Sequence, residues 1–304
     1  MNFLFNLIIS IISLLISVAF YTIIERKILS YIQIRKGPNK VGFLGILQPF
    51  SDAIKLFNKN LTTLEMTNFL IFSISPIFTI TISILIIPLL PLNLYSMFDN
   101  KNSFLMFFII SSMGVYSILM MSWSSNSKYC YLGSIRSVSQ LISYEISFFM
   151  IIFIICILSN SYSFTQIKES QNMLLFFYGN ILILLIWLSS CLGETNRSPF
   201  DFAEGESELV SGFNVEYMGS WFALIFLAEY LSMLILSMMT SLMFFKSINI
   251  PFTLLTSMFL IWIRGTVPRF RYDMLMTLNW KLFIPILLFF MPIPLILSFY
   301  FFSS

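Results

Sequence analysis

The chain has 304 residues, 58% of them hydrophobic and only 10% charged, with a formal net charge of +3. A soluble domain carries about 25% charged residues, and apolar runs of the length found here leave no solvated face, which excludes an ordinary soluble fold. Histidine is absent, so no haem imidazole, zinc-binding histidine or histidine proton shuttle can come from this chain.

In chain order, apolar runs cover residues 3–24, 69–90, 104–121, 137–159, 173–192, 218–245, 247–263 and 281–302. A helix rising 1.5 Å per residue needs ~20 residues to cross a hydrocarbon core of about 30 Å. The runs are continuous rather than alternating in short segments, which points away from a barrel. The expected fold is an all-α polytopic membrane protein with about eight transmembrane helices, some tilted or kinked, forming a single membrane domain over 1–304. The first run is longer than a signal-peptide core, has no basic segment before it and no small-residue cleavage site after it, so it is expected to be a retained span. The seventh reaches only about 25 Å and has Pro251 near its start. In the eighth, Pro285, Pro292 and Pro294 predict a kink or break.

The basic residues set an expected orientation. The loops after the odd-numbered runs hold 14 of the 17 Lys and Arg residues, and only Lys101, Lys168 and Lys246 fall on the other side. The positive-inside rule then puts the long polar loops on the cytoplasmic or matrix face and both termini opposite. Nearly all the polar material projects from that one face, which predicts a docking partner there.

The first of these loops, residues 25–52, reads ERKILSYIQIRKGPNKVGFLGILQPFSD. Gly37 and Pro38 break it, and Pro49 permits a new element. Two readings fit: a positively charged anchor, or one wall of a pocket in which Glu25 and Arg26 meet an amphiphilic ligand entering from the lipid.

Residues 194–217, ETNRSPFDFAEGESELVSGFNVEY, set six carboxylates and Arg197 between two apolar runs. Such a cluster is costly beside a low dielectric unless it is used. If the segment is helical, Asp201, Glu204 and Glu208 share a side and Glu206 points away, although Gly205 and Gly212 weaken that helix. Carboxylates held close disfavour joint ionisation, so raised pKa values are expected. Glu145 and Glu229 fall inside apolar runs, where an ionisable group is by default paired or on an internal polar path. Arg136 and Tyr144 lie on the same side as Glu145. The last loop, RGTVPRFRYD, sets Arg264, Arg269 and Arg271 against Asp273, which predicts a charged vestibule facing the acidic loop.

Cys130, Cys156 and Cys191 are too far apart for an iron–sulfur or zinc spacing and are expected as buried thiols. No dinucleotide or phosphate-cradling loop is present. The basic residues lie at a membrane face, where anionic lipid accounts for them and nucleic acid does not.

At the loops the sequence resembles the family of the first membrane subunit of respiratory complex I, NADH:ubiquinone oxidoreductase, and its bacterial counterpart. The matching stretches are ERKILSYIQIRKGPNKVGFLGILQPFSDAIKLF at 25–57, WSSNSKY at 123–129, SQLISYE at 139–145, GETNRSPFDFAEGESELVSGFNVEY at 193–217 and RGTVPRFRYDMLMTLNWK at 264–281. The resemblance covers essentially the whole chain, and spans rich in Phe, Ile and Met resemble those of an invertebrate mitochondrial genome. Departures are small: Gly193 and Ser198 stand where Ala is frequent, and Ser replaces Ala within 134–139.

The resemblance implies a core membrane subunit at the junction of the two arms of the complex, with ubiquinone as substrate and FMN and iron–sulfur clusters on partner subunits only. It implies a quinone tunnel lined by Glu25, Arg26, Arg35, Asp52, Arg197 and Phe200. Glu145, Asp201, Glu204, Glu206, Glu208 and Glu229 would begin the proton-coupling path, and Arg136, Arg264, Arg269, Arg271 and Asp273 would form ion pairs at its vestibule. Implied partners are other membrane-arm subunits, the quinone-site subunits of the peripheral arm, and lipids including cardiolipin. The implied location is the mitochondrial inner membrane, with both termini on the intermembrane-space side and no activity from the isolated chain. A proton-coupled secondary transporter is the competing class, but it predicts two matching halves, and the basic loop at 25–68 has no counterpart in the second half.

Overall fold

The computed structural model describes residues 2–60, 66–92, 97, 98, 100–172, 174–202, 205, 210 and 212–296. These residues form helices and connecting turns, with no strand among them. In chain order the helices are α1 (Asn2–Ile32), α2 (Gln48–Phe57), α3 (Phe69–Ile86), α4 (Ser103–Ser125), α5 (Lys128–Ser159), α6 (Phe164–Ser170), α7 (Ile181–Glu194), α8 (Gly219–Phe244), α9 (Ile250–Thr266) and α10 (Tyr272–Ile296). Six of them, α1, α3, α4, α5, α8 and α10, are long and apolar enough to cross a membrane, and α7 and α9 are shorter apolar helices. The chain is a polytopic all-α membrane protein.

Several helices outrun the apolar segments that announce them. α5 begins at Lys128 and carries Arg136 before its apolar run opens at 137, because the backbone ladder is indifferent to side-chain polarity. The run at 173–192 is divided instead. A single turn, Phe176–Gly179, precedes α7, and at Asn180 between them the backbone leaves helical geometry. The Asn180 amide donates to the Phe176 carbonyl at 3.1 Å, a local side-chain bond that competes with helix continuation.

α3 lies along α4, α4 along α5, and α8 fills the groove against α3, while α7 packs on α5 and α9 on α8. α1 rests on α8 and α9, and α2 crosses from α1 to α8. The main core joins α5, α7 and α8: Phe148 stacks on Trp187 with ring centres 4.3 Å apart, and Met239, Met243 and Phe244 are fully buried beside them. Leu4, Phe5, Ile8, Ile9, Ile12 and Ile16 of α1 are exposed, as a surface solvated by acyl chains requires.

Serine hydroxyls within these helices turn back on their own backbone. Ser10, Ser13 and Ser17 each donate to the carbonyl three residues earlier, so their polar atoms are satisfied without a neighbour. On α8, Gln171 closes the C-terminus: its amide donates to the Leu242 carbonyl at 3.0 Å and its oxygen accepts the Lys246 N–H at 2.9 Å.

α10 contains a wide π turn at Asn279–Phe283, immediately before Pro285. The proline ring cannot donate and would collide with the carbonyl four residues back, at Lys281, and the wider turn relieves both problems. The turn aims Asn279 at α5, where its buried amide donates to the Ser143 carbonyl.

Candidate functional site: a buried ion network at the loop face

Glu25, near the C-terminal end of α1, is 5% exposed and points into the bundle. One carboxylate oxygen accepts from Arg197 at 3.2 Å and from Arg264, and the other accepts the Tyr230 hydroxyl at 2.5 Å. Arg197 also lies 3.9 Å from the Glu229 carboxylate and 4.4 Å above the Tyr230 ring. Tyr21, one helical turn before Glu25, packs edge-on to Tyr230 and donates to the Ser257 carbonyl at 3.2 Å. Four parts of the chain therefore meet here: α1, the turn after α7, α8 and α9.

Formal charges in the node balance, with Glu25 and Glu229 against Arg197 and Arg264. Burial penalises the Arg197 guanidinium, but the Tyr230 oxygen, Glu25 and Glu229 outweigh it and hold its pKa above the usual range, so it stays charged. Interactions among such groups are strong because little water screens them. A proton gained or lost at either carboxylate upsets the balance and acts on every other member.

Arg26 faces the other way. It is half-exposed and pairs with Asp52 of α2 at 2.7 Å, and the Gln48 side-chain amide donates a hydrogen bond of 2.8 Å to Asp52. This pair fixes the amphipathic α2, which has no buried residue and exposes Phe50, Ile54 and Phe57. Arg35 is exposed, beyond the end of α1.

α7 ends at Glu194, and Asn196 adopts a left-handed backbone (φ 50°), the conformation that commonly closes a helix. The following turn, with a cis Ser198–Pro199 bond, presents Arg197 inward and buries Phe200 beside Tyr144. Glu194, Thr195, Asn196 and Glu229 line one end of a cavity of about 150 Å³ between α3, α4, α5 and α8. Elsewhere its wall is mostly apolar, with Thr79, Ser83, Ser111 and Ser232 among the lining side chains. Glu194 lies within electrostatic reach of Glu145 on α5. One carboxylate oxygen of each is buried without a hydrogen-bond partner among the described residues. A buried oxygen left so is explained by a functional role, by strain or by an ordered water or ion.

Asp201 is half-buried just after this turn. Glu204, Glu206 and Glu208 lie outside the described residues, so the conditional reading of a shared helix side falls there too. Beyond them, Tyr217 stacks on Phe72 with ring centres 4.2 Å apart, and its hydroxyl meets Ser75 at 2.9 Å and Ser124 at 3.3 Å. Burial pushes the Tyr217 pKa up, so it serves as a neutral hydrogen-bonding group.

The closing loop divides its arginines. Arg264 joins the Glu25 node, Arg269 lies 5.4 Å from the Phe202 ring centre and against Gly205, and Arg271 pairs with Asp273 at 3.3 Å in the open. Arg136 lies on the loop-side part of α5, and its carbonyl accepts the Ser139 hydroxyl. Ser139 also meets the Tyr272 hydroxyl at 2.6 Å.

Sequence reasoning did not single out Tyr21, Tyr230 or Glu194. A signal existed for the first, since Tyr21 and Glu25 are four residues apart and share a helix face. Tyr230 is separated from Glu229 by one residue's rotation, about 100°, and only the packing of α8 reveals which of them meets α1.

Comparison with known proteins agrees with this architecture. The profile of a family described as NADH dehydrogenase matches residues 5–294. The NADH-ubiquinone oxidoreductase chain 1 of Aedes aegypti is 50% identical over 280 residues, covering 90% of this chain and 89% of that protein. The chain 1 of Locusta migratoria is 49% identical over 306 residues, covering 99% and 97%, and that of the whale Balaenoptera physalus is 42% identical over 298 residues, covering 94% and 93%. With its helical bundle and loop-face ion network carried on a sequence matched almost from end to end, the chain belongs to the NADH dehydrogenase family.

Proposed function

We propose that this chain is a core membrane subunit of a proton-pumping NADH:ubiquinone oxidoreductase, and that it couples quinone reduction to charge movement in the membrane. The observation that carries the reading is the node itself. Glu25, buried at the end of α1, is tied through Arg197 to Glu229, which lines the cavity shared with Glu194. Ionisable groups thus extend from the loop face to a cavity inside the bundle, the Glu25–Arg197–Glu229 contacts at one side of it and Glu194 with Glu145 beside it.

In this reading ubiquinone is the substrate and enters from the lipid. Arg26, Arg35, Asp52 and Phe200 contribute to its route beside Glu25 and Arg197, and the exposed apolar side of α2 suits an isoprenoid tail. Quinone reduction consumes protons, so the change in charge falls first on Asp201, Glu204, Glu206 and Glu208. It then passes through Glu25 and Glu229 to Glu145. Arg264 and Arg269 tie the last loop to this mouth, and Arg136, Arg271 and Asp273 add charge to its rim. FMN and iron–sulfur clusters reside on partner subunits in this reading. The chain crosses the mitochondrial inner membrane eight times, with α7 and α9 as crossings and both termini on the intermembrane-space side. Membrane-arm subunits, quinone-site subunits of the peripheral arm and cardiolipin surround it. The transporter reading is not favoured, because the relatives carry an oxidoreductase name.

The test neutralises two acids in the assembled complex. Glu145→Gln and Glu229→Gln should each lower quinone-linked turnover and proton pumping together by about tenfold or more, a barrier change of ~1.4 kcal/mol. Electron transfer from NADH to an artificial acceptor should stay at the unmodified rate. Full turnover and pumping in both variants, measured per assembled complex, would end the coupling claim.

A further inference from the structure

Gln140 of α5 is completely buried, and its amide nitrogen donates to two backbone carbonyls, Gly193 and Phe200, each at 2.9 Å. Those carbonyls stand at the two ends of the turn that carries Glu194 and Arg197. One side chain thus closes the turn and fastens it to α5. A second contact lies one helical turn along: Gly193 is pressed on the Tyr144 ring, where an added Cβ would come within 2.7 Å. Glu145 follows on the same helix.

The chemistry of the amide fixes its direction. Both carbonyls need a donor, and only the NH2 end of glutamine supplies two. Rotating the amide would set its oxygen against both acceptors. That oxygen is buried without a partner among the described residues. An apolar side chain of equal volume would avoid this unpaired oxygen but would take one donor from each of two carbonyls, the Phe200 carbonyl keeping only the Phe202 N–H at 3.1 Å. The grip is therefore specific to glutamine rather than a matter of filling space.

We propose that Gln140 is a positioning residue of the coupling path: by bridging Gly193 and Phe200 it sets the placement of Glu194 and Arg197 relative to Glu145, and through Arg197 the register of the Glu25 node. Motion of α5 about its axis must then carry the Arg197 turn with it, so the membrane-depth acid and the loop-face node move as one body. This deepens, and rests on, the proposed role in coupling.

The test is Gln140→Leu in the assembled complex, with the KM for a short-chain quinone and kcat resolved. Loss of position should lower kcat of quinone-linked turnover about tenfold, a larger change than in KM, which shifts by about threefold at most because Phe200 and Arg197 also border the proposed quinone route. NADH oxidation by an artificial acceptor should remain normal per complex. If Gln140→Leu fails to assemble, Gln140→Glu keeps the shape and can donate at most one bond when protonated, and it should show the same split in kcat. Normal kcat in the assembled fraction, with only the amount of complex reduced, would overturn the proposal, as would a loss confined to KM. Absence of quinone-linked turnover in the unmodified complex would instead defeat the functional reading itself, so the two failures are distinct.

Discussion

Because the Glu25 carboxylate holds two guanidinium groups and a phenol in the bundle interior, removing its charge strands Arg197 beside the one remaining carboxylate, Glu229. Breaking a buried pair from one side costs about 3–5 kcal/mol, most of it the penalty on the charge left behind. Glu25→Gln is therefore expected to destabilise the complex by roughly that amount. Arg26→Ala, which opens a half-exposed pair with Asp52, should cost only ~0–1 kcal/mol. Denaturant titration of the purified complex checks both, and equal effects would show that the two pairs do not differ in screening. Sequence alone marked Glu25 and Arg26 as charges at the end of a span. It could not say which turned inward, because adjacent helical residues differ by about 100° and both belong to a short polar stretch. The decision comes from Arg197, Tyr230 and Arg264, which are distant in sequence and meet only when α8 and α9 pack on α1.

At the scale of elements, the apolar runs at 69–90, 104–121 and 218–245 overlap α3, α4 and α8, where composition is one-sided. They were less informative where a polar segment stays helical, as at Lys128–Arg136, or where a single Asn interrupts an apolar run, as at 180. The three prolines in the last run predicted a kink or a break near its end; the irregularity among the described residues is instead a π turn at Asn279–Phe283, ahead of Pro285. Its register follows from the side chains it must place, since Asn279 reaches the Ser143 carbonyl on α5. Pro285→Ala restores an N–H and removes the clash, so the π turn should relax to α geometry. That would rotate the residues before it by about 100°, one residue's worth. A structure of the variant complex should then show Asn279 turned away from Ser143. An unchanged π turn would mean that packing on α5, not the proline, holds it.

For the whole molecule, the charge asymmetry makes a prediction about sidedness. With 14 of 17 basic residues on the loops after odd-numbered spans, the positive-inside rule predicts that the Glu25 node lies near the matrix face. Cysteines introduced at Lys55 and Lys168 should react with a membrane-impermeant maleimide from opposite sides, Lys55 from the matrix and Lys168 from the intermembrane space. Labelling of both from the same side would refute the eight-crossing arrangement. Charge bias is legible in a sequence because it is a property of loops, needing no tertiary contact. The node is not, because its geometry is a product of assembly.

The span of the Glu25–Arg264 contact also bears on how the protein is made. The partners are 239 residues apart, and synthesis at roughly 5–20 residues per second takes some tens of seconds to supply the second after the first. Through that interval the nascent chain has α1 in place with an acid at its end and no guanidinium from α9 to meet it. Arg197 arrives earlier and can hold the carboxylate in part, and Tyr230 follows. A ribosome that stalls between α8 and α9 therefore leaves a product whose early helices can associate but whose charge balance is unfinished. Such a product carries an uncompensated excess of carboxylate at the place where the completed subunit is neutral, a mark by which quality-control proteases could tell the two apart.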